Sequence, residues 1–347
     1  MSADTQTLKP VDLRSILTFT VKLARTAGTL ILEGSQAIQS TSDVNTKKNS
    51  VDLVTEYDVA VEELVNSEIA KAYPSFKFIG EESYSSGTRN ELTDEPTFCV
   101  DPIDGTTNFV HGFPFACISL GLIYQKRPVL GVIYNPFLDH LYTGIEGQGS
   151  FLTRGNSQPL KLPLTNPKPL PSLQKALIAI EWGSDRSKNF LVPKSDSFLR
   201  LAGDPADGIA GGRMAHSIRS LGSAALNISM VAQGGLDLYW EIGCWPWDVC
   251  VSNCLYMLIY PSHLFYKAGI VIVQEAGGVV VGSHAALAAA TSAGSSIDPF
   301  KVTLDVLTGR KYLVIRAIPD TQNETGREAQ LRIARDFYQT VEDGEPK

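Results

Sequence analysis

Apolar residues recur at helical spacing over 11–38, where Leu13, Ile16, Leu17, Ala24, Ala27 and Ile31 share one face, and this predicts a long amphipathic helix. The spacing returns at Val61, Leu64, Val65 and Ile69, behind a Thr55–Asp58 pair that resembles a capping box with Asp in place of Glu. A second helix is therefore expected over 55–72. The period then shortens: 77–80, 97–100, 116–124, 129–134 and 140–145 read as strands, with turns such as Lys126-Arg127-Pro128 and Asn135-Pro136-Phe137 between the later ones. Residues 156–173 are rich in Pro and Lys and read as a long surface connection. Strands and helices alternate afterwards through 177–180, 224–233, 236–241 and 268–276, with a late strand at 312–316. Residues 321–347 read as a polar tail, helix-competent from 324 but adding little to the core.

Chemistry concentrates where the strand pattern breaks. Asp101 and Asp104 straddle Pro102 directly after the apolar run 97–100. Proline cannot donate a ladder hydrogen bond, so the strand should end there, with both acids leaving on a tight turn that has Gly105 at its apex. Acids converging on a strand end are costly unless a cation lies between them. A hard divalent cation such as Mg²⁺ suits carboxylates, a main-chain carbonyl and water. By itself a D-x-x-D is more often a polar turn with a capping aspartate. Other acids at element ends change that weighing: strand 77–80 runs into Glu81-Glu82-Ser83, and 236–241 ends on Glu241 shortly before Trp247-Asp248. Neighbouring strands would gather Glu81, Asp101, Asp104 and Asp248 at one sheet edge. Gly222-Ser223-Ala224 opens a predicted helix whose free N–H groups and dipole suit a phosphate, although a serine cap alone is the commoner meaning of such a local sequence.

GEES at 80–83, DPIDGTTNFVHGFPF at 101–115 and WDVC at 247–250 resemble the inositol monophosphatase family. VDLVTEYD at 51–58, RSLGSAALN at 219–227 and QEAGG at 274–278 are similar to that family in the same order, so the chain is identified as a member, of the fungal type. The resemblance implies an α/β fold, an αβαβα five-layer sandwich, in a single catalytic domain over 10–320 with sub-lobes at about 10–155 and 174–320. It implies hydrolysis of inositol monophosphate by a metal-activated water, with two or three Mg²⁺ ions per site, lithium sensitivity and a homodimer. By motif match, Glu81, Asp101 and the carbonyl of Ile103 hold the first metal, while Asp101, Asp104 and Asp248 hold the second. Thr106 orients the attacking water beside Glu81. The substrate falls to Asp104, Gly105, Thr106, Gly222, Ser223, Ala224, Glu241 and Asp248, with Glu241 on a ring hydroxyl. Lys47 matches a family lysine near the metals, and Asp58, like Asp52 and Glu82, supports the site from behind. Fructose bisphosphatases, bisphosphate nucleotidases and fungal quinate-cluster proteins share parts of the pattern, which keeps a sugar-phosphate or quinate-cluster phosphatase open as the alternative activity.

One departure stands out. After Trp247-Asp248-Val249-Cys250 the family pattern resumes only at Ala268, and excising 251–267 restores WDVCAGIVIVQEAGG. Eleven of these 17 residues are apolar or aromatic and one is charged, whereas tolerated surface insertions are usually polar. The segment begins with Val251, whose codons start with GT, and ends with Lys267, which can be coded AAG. Those are the boundaries of an intron, and a retained intron is the expectation, against a genuine insertion. Either way the segment separates Asp248 from the helix expected to aim it, so the chain as written could be a catalytically impaired metal-binding protein.

Composition adds exclusions. A net charge of −7 argues against a general nucleic-acid surface. The five cysteines, Cys99, Cys117, Cys244, Cys250 and Cys254, lack metal-type spacing and read as buried free thiols of a reducing compartment. His111, His140, His216, His263 and His284 show no ligand spacing either. The first ten residues carry no apolar run resembling a signal peptide, and no uninterrupted apolar stretch reaches membrane-spanning length. A cytoplasmic location without a membrane partner is expected.

Overall fold

The computed structural model describes residues 10–40, 45–46, 53–87, 93–243, 268–303, 306 and 309–344. The first amphipathic pattern forms helix α1 (Pro10–Gln39) and the second forms α2 (Glu56–Ala72), with the short strands β1 (Asn45–Thr46) and β2 (Leu53–Val54) paired between them. Thr55 caps α2: its hydroxyl accepts from the Tyr57 and Asp58 amides, and Asp58 accepts from Thr55 N at 2.8 Å. The capping box with aspartate is therefore real.

Seven strands build the first sheet in sequence order: β3 (Lys77–Gly80), β4 (Thr97–Asp104), β5 (Cys117–Tyr124), β6 (Arg127–Asn135), β7 (His140–Ile145), β8 (Gly149–Arg154) and β9 (Leu160–Lys161). Only β3 and β4 run parallel. Short helices α3 (Glu81–Ser85) and α4 (Thr106–His111) leave the ends of β3 and β4. Strand alternation sets the layers. Phe98, Val100, Leu120, Leu122, Leu130 and Val132 pack with the apolar faces of α1 and α2. Cys99, Ile123, Ile133 and Tyr142 point the other way.

The second sheet has the order β11-β10-β12-β14-β13, from β10 (Leu177–Ile180), β11 (Ser217–Arg219), β12 (Leu238–Ile242), β13 (Val279–Val281) and β14 (Lys311–Ile315). The remaining helices are α5 (Lys188–Ala202), α6 (Ala224–Gln233), α7 (Ala268–Glu275), α8 (His284–Ala290) and α9 (Gly326–Thr340). Helices α6 and α7 lie between the sheets, where Leu226, Ile228, Ile270 and Ile272 meet Cys99 and Ile133 on one side and Tyr239 and Val314 on the other. On the outer face, Phe190, Leu201, Ile333 and Phe337 of α5 and α9 cover Ile178, Trp240 and Leu313. Helices, sheet, helices, sheet and helices give the five-layer αβαβα arrangement.

Several expectations change. Strand β4 does not stop at Pro102; it bulges between Asp101, opposite Ser119, and Asp104, opposite Cys117. The bulge absorbs the missing proline donor. Residues 156–173 are more than a connection, since β9 extends the first sheet and Leu162, Leu170 and Leu173 are buried. The polar tail contains α9, which opens on a Thr325–Glu328 capping box and buries Ala329, Ile333, Ala334 and Phe337. Its polar residues hid an apolar face at helical spacing. Helix α1 is long and apolar enough, by length and composition, to cross a membrane, yet Leu13, Ile16, Leu23, Ala24, Ala27 and Ile31 are core residues against the first sheet. Cys99 and Cys117 are buried free thiols as anticipated; the other three cysteines lie outside the described residues.

Phe337 is fully buried and meets Trp240 edge-on at 5.5 Å between ring centres. Phe337→Ala should cost about 3–5 kcal/mol in denaturant unfolding. A loss below about 1 kcal/mol would mean that α9 contributes little to the fold.

Candidate active site

The β4 bulge ends where α6 begins, and a cavity of about 430 Å³ opens between them, lined by Glu81, Asp101, Ile103, Asp104, Thr106, Ser223 and Glu241 among others. The bulge places Asp101 and Asp104, both buried, at the cavity wall. Gly105 follows with φ +88, and a Cβ there would lie 2.9 Å from the Gly222 carbonyl oxygen and 3.0 Å from that of Phe115. Only glycine both takes that left-handed turn and lets the backbone at Gly222 and Phe115 approach.

Asp104 ties the end of β4 to the start of α6. Its Oδ2 accepts from Ser223 Oγ at 2.5 Å and Ala225 N at 2.8 Å, and its Oδ1 accepts from Ala224 N at 3.2 Å. These donors form the N-terminus of α6, where the helix dipole favours an anion. Burial pushes the Asp104 carboxyl up to about 6; the three hydrogen bonds oppose that shift, and the Glu81 charge adds to it. The amides expected to be free for phosphate are therefore largely engaged. Ala224 and Ala225 donate to Asp104, Leu226 N donates to the Ser223 cap at 3.2 Å, and Leu221 N and Gly222 N donate to Glu181 at 2.8 and 2.9 Å.

Three residues that sequence reasoning left without a role hold this geometry. Glu62 of α2 is buried and accepts from Glu82 N at 2.6 Å and Ser83 N at 2.7 Å, fixing the turn that carries Glu81. Asn108 donates to Phe115 O and Leu221 O, both at 2.7 Å, tying the acidic loop to the segment before α6. Glu181 also accepts from Ser220 Oγ at 2.9 Å and Asn227 Nδ2 at 2.7 Å. Asn108 sits inside a motif already singled out; Glu62 and Glu181 carry no local signal, because their partners lie 20 to 46 residues away.

Thr106 Oγ1 is 3.1 Å from the Ile103 carbonyl oxygen and 3.4 Å from Asp58 Oδ1, so the capping aspartate of α2 also reaches the site. Glu241 is buried at the end of β12, accepting from Tyr239 OH at 3.0 Å and Ile242 N at 2.9 Å. Burial raises its carboxyl to about 7 against the pull of Lys194, and Glu181 adds to the rise. Lys47, Asp52, Asp248 and 251–267 lie outside the described residues.

The donor set fits a hard divalent cation in kind: among the described residues the lining offers carboxylates, a carbonyl and hydroxyls, and no imidazole or thiolate. Asp104 Oδ1, with a single 3.2 Å donor, retains accepting capacity. Among the described residues, no three Asp, Glu, His or Cys side chains close up tightly enough to hold an ion unaided. A further ligand would have to come from elsewhere.

A family model for the inositol monophosphatase family matches residues 12–256. Protein qutG of Emericella nidulans is 38% identical over 336 residues, covering 95% of this chain and 94% of its own length. Inositol monophosphatase 2 of Saccharomyces cerevisiae is 44% identical over 241 residues, covering 69% and 72%. Among solved structures, the extragenic suppressor protein suhB from Bartonella henselae superposes with a TM-score of 0.66 at 25% identity, over 94% of this chain and all of that one. Fold and matches together define a phosphatase of the layered α/β class. The chain belongs to the inositol monophosphatase family.

Glu181→Ala would strand two backbone amides and the Asn227 side chain. We expect kcat/KM to fall about a hundredfold from the loss of positioning. Phosphate release measured beside thermal unfolding would check this, and unchanged activity would contradict the role given to Glu181.

Proposed function

We propose that this chain is a Mg²⁺-dependent phosphomonoesterase that releases phosphate from inositol monophosphate. The observation that carries the proposal is the docking of Asp104 on the N-terminus of α6, which brings the acidic loop and the Ser223 segment to one cavity beside Glu81 and Asp101. Glu81, Asp101, the Ile103 carbonyl, Asp104 and Asp248 would hold the ions. When bound, Mg²⁺ lowers the pKa of a water and neutralises charge on the transferred group.

The protein's own groups then divide the work. The Thr106 hydroxyl orients the attacking water, with Asp58 and the Ile103 carbonyl setting the direction of that hydroxyl. Glu81 takes the proton that the water loses. Ser223 and the backbone around Gly222 and Ala224 line the phosphate end, and Glu241 accepts from hydroxyls of the alcohol. The likeness to Protein qutG, 38% identical over 95% of this chain, supports including a second polyol phosphate in the substrate panel. The extra segment 251–267 belongs to the same proposal: we read it as a retained intron, and the family match ends inside it at residue 256.

Phosphate release from inositol 1-phosphate should require Mg²⁺ and stop on chelation. Asp101→Asn should lower it about a thousandfold, and the chain lacking 251–267 should be the more active form. Release that is indifferent to Mg²⁺ would contradict the proposal, and equal activity of the two chain lengths would overturn the intron reading.

A further inference from the structure

Lys194 sits in the middle of α5 at 3% exposure, its Nζ 3.8 Å from Glu241 Oε1 and 4.9 Å from the centre of the Phe190 ring. A lysine is almost never buried this deeply unless it is paired. Its carboxylate partner is equally buried, and that partner lines the cavity at the end assigned to the alcohol. We propose that Lys194 is a positioning residue for substrate selection, holding the Glu241 carboxyl in place so that its remaining lone pairs accept from adjacent hydroxyls of a polyol phosphate. This rests on the phosphomonoesterase reading above and adds a group behind Glu241 that none of the motifs contains.

The surroundings of Glu241 support the assignment. Tyr239 OH donates to Oε2 and Ile242 N to Oε1, so two directions are fixed and the ammonium lies beside Oε1. Among the described residues, Glu181, just after β10, adds its negative charge, Arg186 lines the same cavity, and Tyr312 of β14 is the cross-strand neighbour. Glu181 disfavours the Glu241 charge and Lys194 favours it. Without the lysine, burial and Glu181 would act unopposed by it and push the Glu241 carboxyl further up, leaving less of the charged form to accept from substrate hydroxyls. An ion pair kept at this depth is weak evidence for stability as such, because matched apolar residues often do as well. Its place at the cavity wall gives it a use that an apolar pair could not fill.

The test compares inositol 1-phosphate with 4-nitrophenyl phosphate, an ester without ring hydroxyls, in the Mg²⁺-loaded enzyme. Lys194→Met should raise KM for inositol 1-phosphate about tenfold while kcat stays within about twofold, the pattern of lost uniform binding. Both parameters for 4-nitrophenyl phosphate should hold. The lost preference should recover in part as pH is raised above neutral, because Glu241 without its partner ionises at a higher pH than in the wild type. In a Glu241→Gln background, Lys194→Met should cost no further preference, and that neutral pair also guards against misfolding. An unchanged preference in Lys194→Met, or equal losses on both esters at every pH, would overturn the inference. A wild-type enzyme that turns over 4-nitrophenyl phosphate without preferring inositol 1-phosphate would instead remove the inositol reading, and this inference with it.

Discussion

The contact between the Asp104 carboxylate and the first turn of α6 is the constraint on which the rest depends. A buried carboxylate raised toward neutrality by its surroundings needs donors, and a buried helix N-terminus needs acceptors. Each satisfies the other across the junction between the first sheet and the central helix layer. The Gly105 turn allows the approach, and Asn108 fastens the same loop to the carbonyl of Leu221. Remove the contact and, of these two ties, the Asn108 bond alone holds the acidic loop to the other half of the cavity, with the carboxylate and the α6 donors both left without their partner.

The same device recurs twice around it. Glu62 receives the amides of Glu82 and Ser83, and Glu181 receives those of Leu221 and Gly222. In each case a carboxylate from a distant element fixes a segment that carries a functional group. The cavity consequently collects acids: Glu81, Asp101, Asp104, Glu181 and Glu241 all line it, against Arg186 as the single cation among the described residues. A site with that balance favours positive charge at its centre, which is the electrostatic argument for a cation between enzyme and phosphate. Lys194 answers the same excess of negative charge beside Glu241.

Much of this was legible in the chain because it is written in local pattern. Helices α1, α2 and α6 and strands β3, β7 and β10 follow from apolar spacing, with the Thr55–Asp58 box marking the start of α2. Strand β4 ran past its proline because a bulge can absorb a missing donor, which is a tertiary solution to a local problem. Helix α9 was hidden by its polar residues; the side chains it buries become visible only against Trp240 and Leu313. Glu81, Asp101, Asp104 and Thr106 could be named from their motifs, whereas Glu62, Glu181 and Lys194 could not. Their meaning lies in partners 20 to 47 residues away, and no periodicity reports such a pairing.

The central claim is that the cavity between the β4 bulge and α6 binds the catalytic cation through Glu81, Asp101 and the Ile103 carbonyl. The most direct measurement is anomalous diffraction from crystals soaked in Mn²⁺, an oxygen-seeking stand-in for Mg²⁺. The account predicts an anomalous peak within coordination distance of those three groups, lost in Asp101→Asn crystals. A cavity with no peak, or a peak unaffected by that substitution, would contradict it.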